Sequence, residues 1–354
     1  LSAEEGHMKE IAINRLPVLT YRYLKTNDTK ILFSAPQASA VADISDKTYV
    51  TVGAEFPENF EGASSETLAA ALAGEKYTIT IPSGMQAKLT IEIKLENQHA
   101  AYAGAFHFLL QKGAKLELVW KLSGTEAAQS SYLSSYYELE DAAELKISKL
   151  QADLAEATLY DQRFFKLGKA AKAVSISAEL GGKQVIVHSR GALNGDEAAL
   201  TERTVYTGTG KQHLDLFYHI DHWGKKTVSL IDGKGALAGE AKKIFRSTLD
   251  FHRGCAGSEG EEGDYAIQLS PKAKNISLPL LLCTEDNVAG NHASSAGQVS
   301  EEDVYYLMSR GFSWEEARRI IVESLMRPIV DSLEASLQEE TLEEIRRKLD
   351  AKGE

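Results

Sequence analysis

The chain has 354 residues, 43% hydrophobic and 25% charged, which is enough apolar material for one large elongated domain or two to three ordinary ones. Its formal net charge of -12 argues against nucleic acid and anionic membrane surfaces as partners. Only two cysteines, Cys255 and Cys283, are present, too few for a secreted disulfide scaffold or for the four thiolates that usually hold an iron–sulfur cluster.

Residues 1–10 are acidic and lack the hydrophobic core of a signal sequence, and no later stretch reaches bilayer-spanning length, so a cytoplasmic protein is expected. To about Lys76 the periodicity is weak. Arg15-Leu16-Pro17 and the run from Thr20 to Leu24 suggest an ordered, irregular arm, and the Ala-rich stretch from Ser64 to Ala73 predicts a short helix with Ser65 as N-cap.

From Tyr77 onward short alternating segments appear, such as Thr78-Ile79-Thr80-Ile81, Leu89-Thr90-Ile91-Glu92-Ile93 and Leu116-Glu117-Leu118-Val119-Trp120. Later examples are Leu145-Lys146-Ile147, Val174-Ser175-Ile176 and Val185-Ile186-Val187. Period-two alternation bounded by Gly, Asp and Asn reads as strands. Similar loop-to-strand joints place alanines at 87, 114, 143 and 171, with Ala199 following. A strand-and-turn unit of this regular length predicts a stacked solenoid, because one coil cannot bury its own apolar face whereas stacked coils bury a continuous core. A β-sandwich is the alternative, but it needs fewer such joints.

His213, His219, Asp221 and His222 crowd one segment. On a strand, His213, His219 and Asp221 share a face and His222 points the other way, which is poor parity for a metal site and favours a polar strand face. Cys255 sits between glycines; His252 and Arg253 nearby could lower its thiol pKa, but a small buried thiol is the commoner reading. Gly257 to Asp264 reads as a mobile acidic loop rather than a calcium loop, and Cys283, in Leu280-Leu281-Leu282-Cys283, reads as a core strand residue. Gly208-Thr209-Gly210-Lys211 lacks the spacing of a phosphate loop and Gly-x-Ser-x-Gly is absent, so no self-contained catalytic constellation is found.

Asn287 to Gln298 is rich in small and polar residues and reads as a turn carrying His292, whose imidazole could ligate a metal there, although composition alone favours a hydrogen-bonded turn histidine. Three capping boxes follow, at Ser300, Ser313 and Thr341, and predict three helices, the second ended or kinked by Pro328.

The pattern Cys283-x-Glu285-Asp286-x-Val288-x-Gly290-Asn291-His292-x-x-x-x-Gly297-Gln298, followed by Tyr305-Tyr306-Leu307-Met308-Ser309-Arg310-Gly311-Phe312 and Glu316-Ala317, resembles the C-terminal signature of the SufB/SufD scaffold proteins of iron–sulfur cluster assembly. Asp215 to His222, Ser229, Gly233, Phe245, Gly254 to Ala256 and Leu269 follow the same family's run, and Asn14-Arg15-Leu16-Pro17-Val18-x-Thr20 looks like the start of short SufD-like members. The likeness is firm over residues 215–312 and thin over the repeats before them.

The resemblance implies a mainly β fold, a right-handed parallel β-helix core with helical ends. The implied organisation is an N-terminal arm with a short helix (1–76), the β-helix (77–290) and a C-terminal helical domain (291–354). It further implies a non-catalytic subunit that pairs with a SufB-like paralogue, or with itself as a homodimer, and docks a SufC-type ATPase through residues 301–325. Tyr305, Tyr306, Arg310, Phe312 and Trp314 are the candidate contacts for that ATPase. The family's cluster-interface histidine falls on His292, the candidate ligand for iron or for a transient cluster shared with the partner; Cys255 is a second candidate, and no cluster is expected on this chain alone. Many members carry Cys-Ser-His-Gly where this chain has Gly290-Asn291-His292-Ala293, which favours a SufD-like over a SufB-like role. Two other classes stay open: a carbohydrate-active β-helix enzyme, by analogy of fold, and a purely structural homodimer paired through edge strands.

Overall fold

The computed structural model describes residues 8–350 apart from 20–22, 24, 36, 54, 57–59, 61, 97–98 and 126–127. Most of the arm expected at 20–24, and most of the acidic segment at 1–10, lies outside the described residues.

Two antiparallel strands, β1 (Lys9–Ile13) and β2 (Thr29–Phe33), open the chain, followed by β3 (Ala42–Ile44), β4 (Val50–Val52) and helix α1 (Ser65–Leu72). The N-cap of α1 is Ser64, one residue earlier than expected, because it is Ser64 that exchanges capping-box bonds with Thr67. A mainly β solenoid of about 8 turns follows, as the repeats predicted. Its strands alternate between two sheets. The first takes β6 (Gln86–Leu95), β8 (Lys115–Gly124), β10 (Glu144–Gln151), β12 (Lys172–Glu179), β14 (Ala199–Gly208), β16 (Val228–Leu237), β18 (Ser258–Gln268) and β20 (Val288–Gly297). The second takes β5 (Glu75–Ile81), β7 (Ala101–Leu110), β9 (Ser130–Leu139), β11 (Thr158–Leu167), β13 (Gln184–Leu193), β15 (His213–His222), β17 (Lys242–Phe251) and β19 (Lys274–Cys283). Neighbours within each stack are parallel; only β3 and β4 join antiparallel, at the N-terminal ends. Helices α2 (Glu301–Ser309), α3 (Trp314–Val330) and α4 (Ala335–Asp350) close the chain.

Parity explains the core. Leu116 pairs with Leu145 and Leu145 with Ala173, so like residues stack from coil to coil. Phe108, Tyr137 and Phe165 stand in register and stack at 4.9 and 4.8 Å between ring centroids. Where the chain turns into the first sheet, the left-handed backbone of Gly113, Ala142, Ala170, Glu197, Lys226 and Gly254 is each followed by a fully buried small residue: Ala114, Ala143, Ala171, Ala198, Thr227 and Cys255. A side chain larger than these would have to enter the packed interior at every corner.

Each sheet also buries part of its outer face. On the second sheet, Ala103, Tyr132, Tyr160 and Ile186 are covered by Ile11, Ile13, Ile31 and the alanines of α1. On the first, Val119, Leu150, Ile176, Val205 and Ala236 are covered by Val322, Met326, Ile329, Leu342 and Ile345 of α3 and α4. Pro328 sits in the last turn of α3, where its ring and missing N–H stop the helix two residues later. The helix start expected at Thr341 does not form: Thr341 lies inside α4, fully buried, because α4 begins at Ala335 and lays Leu337, Leu342 and Ile345 on the sheet. Lys348 fixes the end of α4 by donating to the carbonyls of Leu180 and Thr207, the latter at 2.6 Å, and to Gln212 Oε1 at 2.8 Å. Lys348→Ala leaves these buried acceptors without their donor and is expected to cost about 1–3 kcal/mol, measured by denaturant unfolding.

Candidate functional site

The last coil is the open end of the solenoid. Among the described residues β20 has β18 as its only ladder neighbour and β19 has only β17, so both outer edges are free. Pro279 within β19 fits that position, since a residue without an N–H is tolerated on an edge strand.

The turn expected at Asn287 to Gln298 is instead strand β20, and its register decides what it does. Ser258, Gly260, Glu262 and Asp264 of β18 face the interior and are buried; their partners are Val288, Gly290, His292 and Ser294. His292 thus stands on the interior-facing row of a coil that no further coil covers, and it is exposed. The residues around it are small, but they pair as a strand because β18 offers a full parallel edge. The mobile acidic loop expected from Gly257 is β18 itself, whose alternate residues Gly260, Glu262 and Asp264 point inward.

Glu262, the ladder partner of His292, is 3% exposed, and burial pushes its carboxyl up to about 7. Cys283 corrects the expectation of a core residue. Its ladder partner Phe251 is fully buried, but Cys283, one coil further on, is exposed, and its thiol donates to the Glu285 carbonyl at 2.9 Å. Cys255 is fully buried at the corner of the preceding coil, and burial raises its thiol pKa instead of lowering it as His252 and Arg253 had suggested. His252 is committed to Asp221, at 2.9 Å, and stacks on Trp223. The structure therefore brings His292 next to Glu262 and leaves Cys255 as a packing residue.

Behind this end the interior is unexpectedly polar. Lys149 Nζ lies 2.5 Å from Asp161 and 3.0 Å from Glu179, and Arg163 Nη2 reaches the same two carboxylates at 2.6 and 3.0 Å. Burial opposes the charge on Asp161, but Arg163 and Lys149 overcome it and hold the carboxyl well below its usual range. Further along, Ser189 donates to Glu202 at 2.5 Å, and Lys243 with Tyr206 engages Asp264. These charges were legible in principle: Lys149 has the parity of Leu145 and Ile147, so the alternation that finds the core also finds the charge inside it.

The histidine segment divides as parity requires. His222 faces in, hydrogen-bonded to Thr227 and Ser229 at 2.7 and 2.8 Å, and burial lowers its pKa to about 4. His219 and Asp221 face out.

At the tail, Tyr305, Tyr306, Phe312 and Trp314 are all exposed. Arg310 lies 5.2 Å from the Tyr306 ring and Arg318 lies 4.2 Å from that of Trp314. Val304, Tyr305, Met308, Trp314 and Arg318 line a cleft of about 450 Å³ against Leu269 and Pro271. The helices themselves follow from their caps: Ser300 accepts from the Asp303 amide and Ser313 from that of Glu316.

Comparison with known proteins converges on one family. The family described as "SUF system FeS cluster assembly, SufBD core domain" matches residues 71–325. The chain is 34% identical to the iron–sulfur cluster assembly protein SufD of Bacillus subtilis (strain 168) over 141 residues, 40% of this chain and 32% of the relative. It is 25% identical to an iron–sulfur cluster assembly SufBD family protein of Mycobacterium leprae (strain TN) over 240 residues, 66% of this chain and 54% of that protein. It is 28% identical to the iron–sulfur cluster assembly protein SufB of Bacillus subtilis over 159 residues, 45% of this chain and 34% of the relative. The chain thus spans from 32% to 54% of the length of these relatives. Among the described residues, no helix is long and apolar enough to cross a membrane.

Proposed function

The chain belongs to the SufBD family of iron–sulfur cluster assembly proteins, and on that premise we propose that it is a SufD-like, non-catalytic scaffold subunit working in the cytoplasm. The observation that carries the reading is the open last coil. Two unpaired strand edges and an exposed interior row with His292 are what a second β-helix would cover by continuing both sheets. A SufB-like paralogue is the proposed occupant. His292 would then ligate iron, or a cluster in assembly, from this side of the joint, with thiolate or carboxylate ligands coming from the partner. Two cysteines, one buried at a corner, support a shared site over one made by this chain alone. A second copy of this chain on the same edges is the alternative, and light scattering on the isolated chain separates the two.

The exposed aromatic surface of α2 and the start of α3 is the proposed dock for a SufC-type ATPase. Tyr305, Tyr306, Phe312 and Trp314 with Arg310 offer the aromatic and arginine anchors that dominate interface energetics. Co-expression with SufB- and SufC-type partners, with iron and sulfide measured on the purified complex, tests both parts. His292→Ala is expected to leave the complex intact and lower its cluster content at least about tenfold. Trp314→Ala is expected to lose the ATPase while keeping the paralogue. A His292→Ala complex that carries clusters at the native level removes the ligand role.

A further inference from the structure

The outer face of the second sheet carries a second constellation, away from the open end. His219 and Asp221 are two apart on β15 and share a face; Asp250 of β17 is the ladder partner of Asp221. One ligand atom from each of His219, Asp221 and Asp250 lies within 4.8 Å of the others. His219 Nε2 is 3.4 Å from Asp221 Oδ1, and His252 Nε2 is 2.9 Å from that oxygen and 3.7 Å from Asp250 Oδ2.

His219 supplies the independent observation. The residue is only 4% exposed, and its Nε2 has no hydrogen-bond partner among the described residues although it lies 3.4 Å from Asp221 Oδ1. A buried imidazole nitrogen normally finds a partner, because leaving one without forfeits the hydrogen bond it made to water in the unfolded chain. Its approach to Asp221 falls short of a hydrogen bond yet suits two ligands on one cation, since bonds of about 2.0–2.2 Å place neighbouring ligand atoms a little over 3 Å apart. Asp221 is prepared for one such bond: Arg190 Nε holds Oδ2 at 3.1 Å, leaving Oδ1 on the side of the two imidazoles. A carboxylate held through its other oxygen is the usual outer support of a metal ligand. Asp250 and His252 are the solvent side, with side chains 18% and 22% exposed, so an ion has a way in.

The geometry points to a divalent first-row transition-metal site made by His219, Asp221 and Asp250, with His252 as the fourth ligand. Two imidazoles and two carboxylates suit Fe(II), Mn(II), Co(II) or Zn(II) better than calcium or magnesium, which prefer oxygen alone. The His252–Asp221 hydrogen bond holds both side chains at the site. The site belongs to this chain and stands whether or not the assembly reading holds.

The test is Co(II) titration of the full chain after dialysis against chelator, followed by visible absorption and calorimetry. Expected are one tight equivalent and d–d bands of low-symmetry Co(II), displaced by Zn(II). His219→Ala and Asp250→Asn should each weaken this binding at least about tenfold. Asp250→Asn keeps the size of a partly exposed side chain and guards against a folding defect in His219→Ala, with circular dichroism verifying both. Absence of a d–d signal at stoichiometric Co(II), or binding unchanged in both variants, overturns the site.

Discussion

Arg246→Met is expected to destabilise the protein by about 3–5 kcal/mol, because it strands a buried carboxylate. Arg246 and Asp215 are both fully buried, on neighbouring strands β17 and β15, and meet at 2.6 Å. Among the described residues, the N-terminal segment supplies the other side-chain hydrogen bonds to this pair. Arg246 Nε donates to the Thr26 carbonyl and Nη2 to Thr29 Oγ1, both at 3.0 Å; Asn14 Nδ2 donates to Asp215 Oδ1 at 2.8 Å, and Thr29 donates to Oδ2. Asn14 also donates to the Val187 carbonyl at 3.0 Å and meets His188 Nδ1 at 2.9 Å. Its backbone is left-handed, at φ 50, a conformation asparagine tolerates better than most residues. The pair is therefore the pin that fastens the segment to the sheet. Methionine fills the volume but leaves Asp215 with neutral donors only. Urea unfolding should register the loss, and hydrogen exchange should show β1 and β2 opening before the solenoid. A loss below about 1 kcal/mol would mean that water reaches the carboxylate and that the pin is not closed.

As pH rises from about 4.5 to about 7, buried Glu202 and Glu262 are expected to remove stability, while buried His188 and His222, whose imidazoles are lowered to about 3 and about 4, add it up to 6.5. Burial raises Glu202 and Glu262 from 4.5 to about 7 in the folded chain. Below 4.5 both states hold the protons and nothing is lost. Between the two values the unfolded chain ionises while the folded one stays protonated, so each group removes about 1.4 kcal/mol per pH unit, roughly 3 kcal/mol by pH 7, after which the effect is constant. Carboxylates with lowered values, such as Glu66 and Glu334 at about 2, act in the opposite sense, but only below 4.5. Glu202→Gln keeps the acceptor for Ser189 and should be more stable than the native chain by up to about 3 kcal/mol at pH 8, and equal to it near pH 4.5. Parallel urea titrations at the two pH values measure this; a variant no more stable at pH 8 would show that Glu202 is already charged inside the solenoid.

How much was readable follows from parity and distance along the chain. Leu116, Leu145 and Ala173 sit in alternating segments, and alternation alone assigns them inward. The same rule sets His222 on the face opposite His219 before any coordinates, and the structure makes the His222 face the inner one. It failed at β20, where Ala289 to Gly297 contains almost no large apolar residue to mark a face, so the segment read as a turn. It failed at β18 because Glu259, Glu261 and Glu262 looked like a solvated acidic run, although Glu262 shares the parity of Gly260 and Asp264.

By itself, then, the sequence determined the class of fold, the three-helix tail's first two starts, the scarcity of thiols and the histidine at the junction, because each is written in local period, caps or composition. Only the tertiary structure decided that His292 has Glu262 as its ladder neighbour, that Asp250 joins His219 and Asp221, and that Arg246 meets Asp215. Each of these pairs is separated by about one coil, and the length of a coil varies with its corners. Asp221 pairs with Asp250 but Ser247 with Pro279, so no fixed spacing predicts the match. Register across coils is set when the corners close and the sheets stack, and chemistry on this protein depends on register.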